Sequence, residues 1–132
     1  MPSIFTRIIN GEIPCYKIAE TDDCFAFLDI NPLAKGHTLV IPKKEVDYLF
    51  DLDDEVYGNL FSFSKQIAKA IKAAVPCERI GVAVIGLEVP HAHIHLCPIN
   101  GINDLNFSNP KVKLTKEEFQ AIADLIQANY RG

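Results

Sequence analysis

The sequence predicts an α+β domain: an antiparallel sheet of about five strands, a long central helix, a C-terminal helix, and the helices packed on one side. Three observations carry that prediction. Two segments repeat apolar residues every three or four positions, as one face of a helix does. Short apolar runs come in pairs around turn residues, as antiparallel strands do. And His91, His93 and His95 alternate with Ala92, Ile94 and Leu96, the period of a half-buried strand.

The elements follow in order. Ile4, Phe5, Ile8 and Ile9 stand at helical spacing before Gly11 and Pro14, which predicts a short helix ending near Asn10-Gly11. Runs from Tyr16 to Ile18 and from Cys24 to Asp29 flank Thr21-Asp22-Asp23, a hairpin turn. A third strand, His37 to Ile41, is bounded by Lys35-Gly36 and Pro42. Leu52, Val56, Leu60, Phe63, Ile67, Ile71 and Ala74 mark the long amphipathic helix, with acids in its first turn and Pro76 after its end. Arg79–Ile85 and His91–Cys97 read as two more strands around the loop Gly86–Pro90. Asn100–Val112, rich in Asn, Gly and Pro, reads as a loop. Thr115-Lys116-Glu117-Glu118 is a capping box, opening a terminal helix with Phe119, Ile122, Ile126 and Tyr130 on one face.

Length and charge narrow the function classes. With 132 residues, 48% of them hydrophobic, the whole chain 1–132 is expected to form one domain. A net charge of -4 and lysines scattered without a stripe argue against a nucleic-acid backbone as partner. No apolar stretch is long enough for a membrane span, and Met1–Arg7 lacks the layout of a signal peptide, so a soluble cytoplasmic protein is expected. Cys15, Cys24, Cys77 and Cys97 form no CxxC pair, which suits free thiols in a reducing compartment.

The histidine row carries the chemistry. On a strand its three imidazoles would project from one face, roughly 6.5 to 7 Å apart, which packing alone does not explain. Two mechanisms fit such a face. Three neutral imidazoles and a water make a hydrolytic zinc site. Alternatively one imidazole attacks phosphorus, forms a phosphohistidine-type intermediate and is released by water. In the second scheme the other ring nitrogen must carry the proton and give it to a fixed acceptor such as a backbone carbonyl. The flanking histidines then donate hydrogen bonds to phosphate oxygens and protonate the leaving group. His93, with a neighbour on each side, is the natural nucleophile. Cys97 shares the face by parity, as a soft fourth ligand or as an apolar thiol at a strand end. His37 either reaches the same site from a neighbouring strand or stands solvated at a strand end.

With those residues in view, the sequence resembles the histidine triad family of nucleotidyl hydrolases and transferases, whose signature is His-x-His-x-His followed by apolar residues. Ile4–Pro14 resembles the family's opening segment, Phe25–Pro32 its nucleoside-binding strand and Gly36–Lys43 the strand that follows. Order and spacing agree over roughly residues 3–98. The resemblance implies that His93 is the nucleophile taking up a nucleoside monophosphate, that His91 and His95 are its flanking partners, and that His37 supports it from the adjacent strand. It implies that Asp29 accepts hydrogen bonds from the ribose hydroxyls, and that Phe5, Ile8, Phe27 and Ile30 form the apolar purine slot. On the residues alone, Phe25, Phe27 and Asp29 share a strand face, so an aromatic wall can run into a sugar-binding carboxylate. Family members of this branch are usually homodimers joined through the long helix and a strand, giving a continuous ten-stranded sheet.

The chain also departs from the family's pattern. The segment before the triad, Val84–Pro90, is shorter than usual and lacks the family's phosphate-binding amides and hydroxyl. Glu88 stands where a hydroxyl donor is expected, beside Val89, and both are placed at the substrate end of the site. A carboxylate near a phosphate costs electrostatic energy unless it is protonated or turned away, so Glu88 is expected to be a general acid, a reader of a cationic leaving group, or a solvated loop residue. Ser3 and Thr6 stand where some members carry paired cysteines for structural zinc, and Ile99 replaces a frequent arginine. No metal and no cofactor are expected. The function expected is a purine nucleoside phosphoramidase, or a nucleotidyl hydrolase or transferase, that releases a monophosphate such as AMP. The alternatives are a nucleotide-binding module with little turnover and a dinucleoside polyphosphate hydrolase.

Overall fold

The computed structural model describes residues 2–132; Met1, the first residue of the N-terminal segment read above, lies outside them. The chain runs α1 (Ile4–Ile9), β1 (Lys17–Glu20), β2 (Cys24–Leu28), β3 (Thr38–Pro42), a 3-10 turn (Leu49–Asp51), α2 (Asp54–Ala74), β4 (Arg79–Ala83), β5 (Ile94–Ile99) and α3 (Lys116–Asn129). The five strands form one antiparallel sheet in the order β1-β2-β3-β5-β4.

Strand register sorts side chains between two faces. Ala26 pairs with Val40, and Val40 with Ile94, so small and branched residues line up across the sheet's middle. Against that face lie Leu60, Phe63, Ile67 and Ile71 of α2 and Phe119, Ile122 and Ile126 of α3. Asp53 caps α2 by accepting from the Val56 amide, and Thr115 and Glu118 form the reciprocal capping box that starts α3. On the opposite face Phe27 pairs with Leu39, and Leu39 with His95, one row across three strands.

Three expectations change. The helices do not all lie on one side: α1 is short, and its Phe5 and Ile8 pack against Phe25, Phe27, Leu39 and Ile41 on the face that α2 and α3 leave open. The last strand begins at Ile94, not His91, because His91 and Ala92 bond elsewhere: the His91 amide donates to the Val89 carbonyl and that of Ala92 to the Val46 carbonyl. The strand read from His37 starts at Thr38. His37 is set ahead of it by Gly36, whose backbone is left-handed (φ +96) and whose added Cβ would lie 3.0 Å from Val75 Cγ2.

Candidate active site

A cleft of about 460 Å³ opens on the α1 face of the sheet. Its apolar end is made by Phe5, Ile8, Phe27 and Leu39, with exposed Ile30 at the rim; Asp29 follows at the end of β2, then His93 and His95, with Glu88 and Val89 on the loop above. Nearly all the residues the sequence pointed to are therefore brought together. Phe25 stands behind Phe27 in the wall, with ring centroids 5.9 Å apart, and does not line the cleft.

The histidines are fixed by bonds that also fix their protons. His93 Nδ1 lies 2.8 Å from the His91 carbonyl, which only accepts, so Nδ1 carries the hydrogen and Nε2 in the neutral ring keeps its lone pair. Every fully buried side-chain nitrogen or oxygen among the described residues has a hydrogen-bond partner, whereas His93 Nε2 has none among them. It therefore reaches the cleft. A second chain of bonds sets His95. The Leu33 amide donates to His37 Nδ1 at 3.0 Å, so His37 carries its hydrogen on Nε2, 3.0 Å from His95 Nδ1. His95 must then hold its own hydrogen on Nε2, which again has no partner among the described residues and faces the cleft as a donor.

Neutral rings are what burial favours here. Burial pushes His95 down to about 3, helped by the neighbouring His37 and His93. His37 is lowered by burial, which outweighs the opposing pull of Asp29, and Lys111 lowers it further. His37 is thus a buried link to His95 rather than a solvated strand-end residue.

His91 departs from the expected row. Its ring is fully buried, is turned away from the cleft, and has both nitrogens spent: Nδ1 lies 2.7 Å from Ser3 Oγ and Nε2 2.7 Å from the Pro42 carbonyl. The ring has no donor to offer a phosphate, and burial lowers its pKa. The row consequently does not converge on a three-imidazole metal site. Asp29, His37 and His95 do bring one potential ligand atom each within 4.8 Å of one another, but both His37 nitrogens are already committed, so the two histidines read as a hydrogen-bond chain with the Asp29 carboxylate 3.7 Å from His37 Nε2. Cys97 is fully buried outside the cleft, and burial raises its thiol to about 11, which suits an inert core residue better than a ligand.

The structure adds Phe107, which sequence reading left in an unstructured loop. Its ring stands edge-on to His95, centroids 4.7 Å apart, and 6.2 Å from His37, closing the cleft beside the buried pair. The Lys111 ammonium holds the segment by donating to the Phe107 carbonyl at 2.7 Å. An aromatic in an Asn- and Pro-rich loop gives no periodic signal, so nothing in the sequence marked it.

A HIT domain profile matches residues 10–101, more than half of the chain. The chain belongs to the histidine triad (HIT) family. Two curated relatives match it nearly end to end. An uncharacterised HIT-like protein of Borreliella burgdorferi is 37% identical over 96% of each chain. The adenosine 5'-monophosphoramidase of Schizosaccharomyces pombe is 34% identical over 99% of this chain and all of its own. A crystal structure of a HIT-like protein from Bartonella henselae superposes with a TM-score of 0.83 at 34% identity, covering 96% of this chain and 95% of that one. The five-stranded antiparallel sheet with its helices is thus the fold of histidine triad proteins.

Proposed function

We propose that this HIT protein is a purine nucleoside phosphoramidase, or a related nucleotidyl hydrolase or transferase, working through a nucleotidyl intermediate on His93. One observation carries the reading: the His91 carbonyl holds the proton of His93 on Nδ1 and leaves the Nε2 lone pair in the cleft. That nitrogen attacks phosphorus as the P–N bond breaks, the departing amine takes a proton from solvent, and water then displaces His93, giving up a proton, to yield the monophosphate. The His95 Nε2–H donates to a phosphoryl oxygen as charge builds there. Asp29, oriented by the Asn31 amide at 2.8 Å, takes the ribose hydroxyls, and Phe5, Ile8, Phe27 and Ile30 enclose the purine. The similar S. pombe adenosine 5'-monophosphoramidase supports an adenosine monophosphate ester or amide as substrate.

The test is AMP release from adenosine 5'-phosphoramidate by the wild type and by His93→Ala, each with and without a chelator. The reading expects turnover that survives chelation and falls at least about a thousandfold in the variant. Activity lost on chelation defeats the metal-free scheme. A second reading, a nucleotide-binding module with little turnover, is favoured by the cleft's charge: its lining holds the carboxylates of Asp29 and Glu88 and no lysine or arginine. Tight AMP binding without product would select it. The same lining disfavours a dinucleoside polyphosphate, which brings several negative charges.

The reading takes residues 1–132 as a single domain acting in the cytoplasm as a homodimer. Among the described residues no helix is long and apolar enough to cross a membrane, and four free thiols suit a reducing compartment. Support for the dimer comes from β4, an edge strand with an open hydrogen-bonding side, and from exposed Val82, Val84, Ile85, Leu87, Tyr48 and Phe50 nearby in the chain or on the same rim. Sedimentation at micromolar concentration distinguishes dimer from monomer.

A further inference from the structure

The bonds that aim His93 do not end at His91. Ser3 caps α1: its hydroxyl accepts from the Thr6 amide at 3.1 Å. The same hydroxyl stands 2.7 Å from His91 Nδ1. Because the Pro42 carbonyl can only accept, His91 Nε2 carries the ring proton and Nδ1 takes the Ser3 hydroxyl hydrogen. Behind Ser3 lies Glu45. One of its oxygens, Oε1, accepts from the Ser3 amide at 2.7 Å and from the Thr6 hydroxyl at 2.6 Å, two charge-assisted bonds that join the start of α1 to the segment after β3. These bonds hold the Glu45 carboxyl below its usual range.

None of Ser3, Thr6, Glu45 and His91 lines the cleft, and the His91 carbonyl, which accepts from His93 Nδ1, bonds the cluster to it. It is also indexed to the purine wall. Phe5, two residues after the cap, stands edge-on to both His91 and His93, with centroids 5.8 and 5.0 Å away.

We propose that Glu45 is a positioning residue for the reaction: acting through Ser3, Thr6 and the buried His91 ring, it fixes the carbonyl that aims His93, without touching the substrate. This rests on the reading of His93 as the nucleophile. Losing the carboxylate frees the cap, lets the His91 ring and its carbonyl shift together, and relaxes both the aim and the tautomer of His93. Attack geometry tolerates such displacement poorly. Gln at position 45 keeps an acceptor oxygen for both donors, whereas Ala keeps none.

The experiment compares wild type, Glu45→Ala, Glu45→Gln and Thr6→Val, all well below their melting temperatures. Two readouts are taken: steady-state AMP release from adenosine 5'-phosphoramidate, and ¹⁵N spectra of the His93 imidazole in the free protein. Expected for Glu45→Ala is a kcat lower by about tenfold with KM changed less than about twofold. The His93 resonances should move from a single Nδ1–H form toward a tautomer mixture. Glu45→Gln should recover most of both, and Thr6→Val should fall between. Wild-type kcat in Glu45→Ala overturns the proposal. So does a loss of kcat that leaves the His93 resonances unmoved. If the wild type itself turns nothing over, the functional reading fails, while the spectra still decide whether Glu45 sets the state of His93.

Discussion

The sheet's two faces are made by alternate residues of the same strands, yet they are built on opposite rules. On the helix side Ala26, Val40, Ile94 and Leu96 meet α2 and α3 through many interchangeable apolar contacts. On the cleft side each ring is held by single assigned bonds: His37 by Leu33 and His95, His91 by Ser3 and Pro42, His93 by one carbonyl that leaves its other nitrogen free. Stability spread over many contacts degrades gradually. Chemistry resting on single bonds should fail at one substitution and leave the fold standing.

The largest effect expected on the helix side tests that contrast. Ile67, fully buried between the sheet and the helices, becomes a cavity when cut to alanine, a loss of about 2–5 kcal/mol in unfolding free energy. Below its lowered melting point, Ile67→Ala should keep kcat within about threefold, because no bond to a histidine is disturbed. Denaturant titration and AMP release on one preparation check both halves. A catalytic loss as deep as that of His93→Ala would show that the two faces are not independent.

This division also explains what was legible. Apolar periodicity foretold α2 and α3, which bury only one stripe each, and the capping box of Thr115 and Glu118 is a purely local signal. The spacing of His91, His93 and His95 foretold that histidines would gather, and the resemblance of Phe25–Pro32 to a nucleoside-binding strand foretold where the cleft wall stands. Spacing could not foretell that His91 turns inward, because its place is set by Ser3 and Pro42, 88 and 49 residues away. The same holds for Phe107, brought over His95 by loop bonds such as that between Lys111 and the Phe107 carbonyl. Contacts between distant residues with no repeat leave no period to read.

A milder stress should separate the faces by pH. His37, His91 and His95 are buried neutral, with folded pKa values below the ordinary 6.5, in the case of His95 at about 3. Below 6.5 the unfolded chain binds protons that the folded chain refuses, so acid favours unfolding. Stability should be flat near neutrality and fall as pH drops through 6.5, by up to about 1.4 kcal/mol per pH unit for each such ring. His95→Gln should flatten part of that slope in urea titrations at pH 7, 6 and 5. An unchanged slope would mean that His95 is not the buried neutral donor its bonds require.

The smallest effect belongs to the cleft's one unpartnered acid on the loop above the histidines. Glu88 lines the cleft, is exposed, and forms no ion pair among the described residues, so its charge acts on a bound phosphate through solvent. Repulsion of that kind is weak and screened by salt. Glu88→Gln should tighten AMP binding about threefold at low ionic strength, with the gain vanishing as salt is raised. For phosphoramidates the sign depends on the leaving group. A cationic amine should lose kcat/KM in Glu88→Gln while a neutral amine gains, because the carboxylate attracts the one and only opposes the phosphate of the other. Equal changes for both amines would place Glu88 away from the leaving group and leave its carboxylate acting on the phosphate alone.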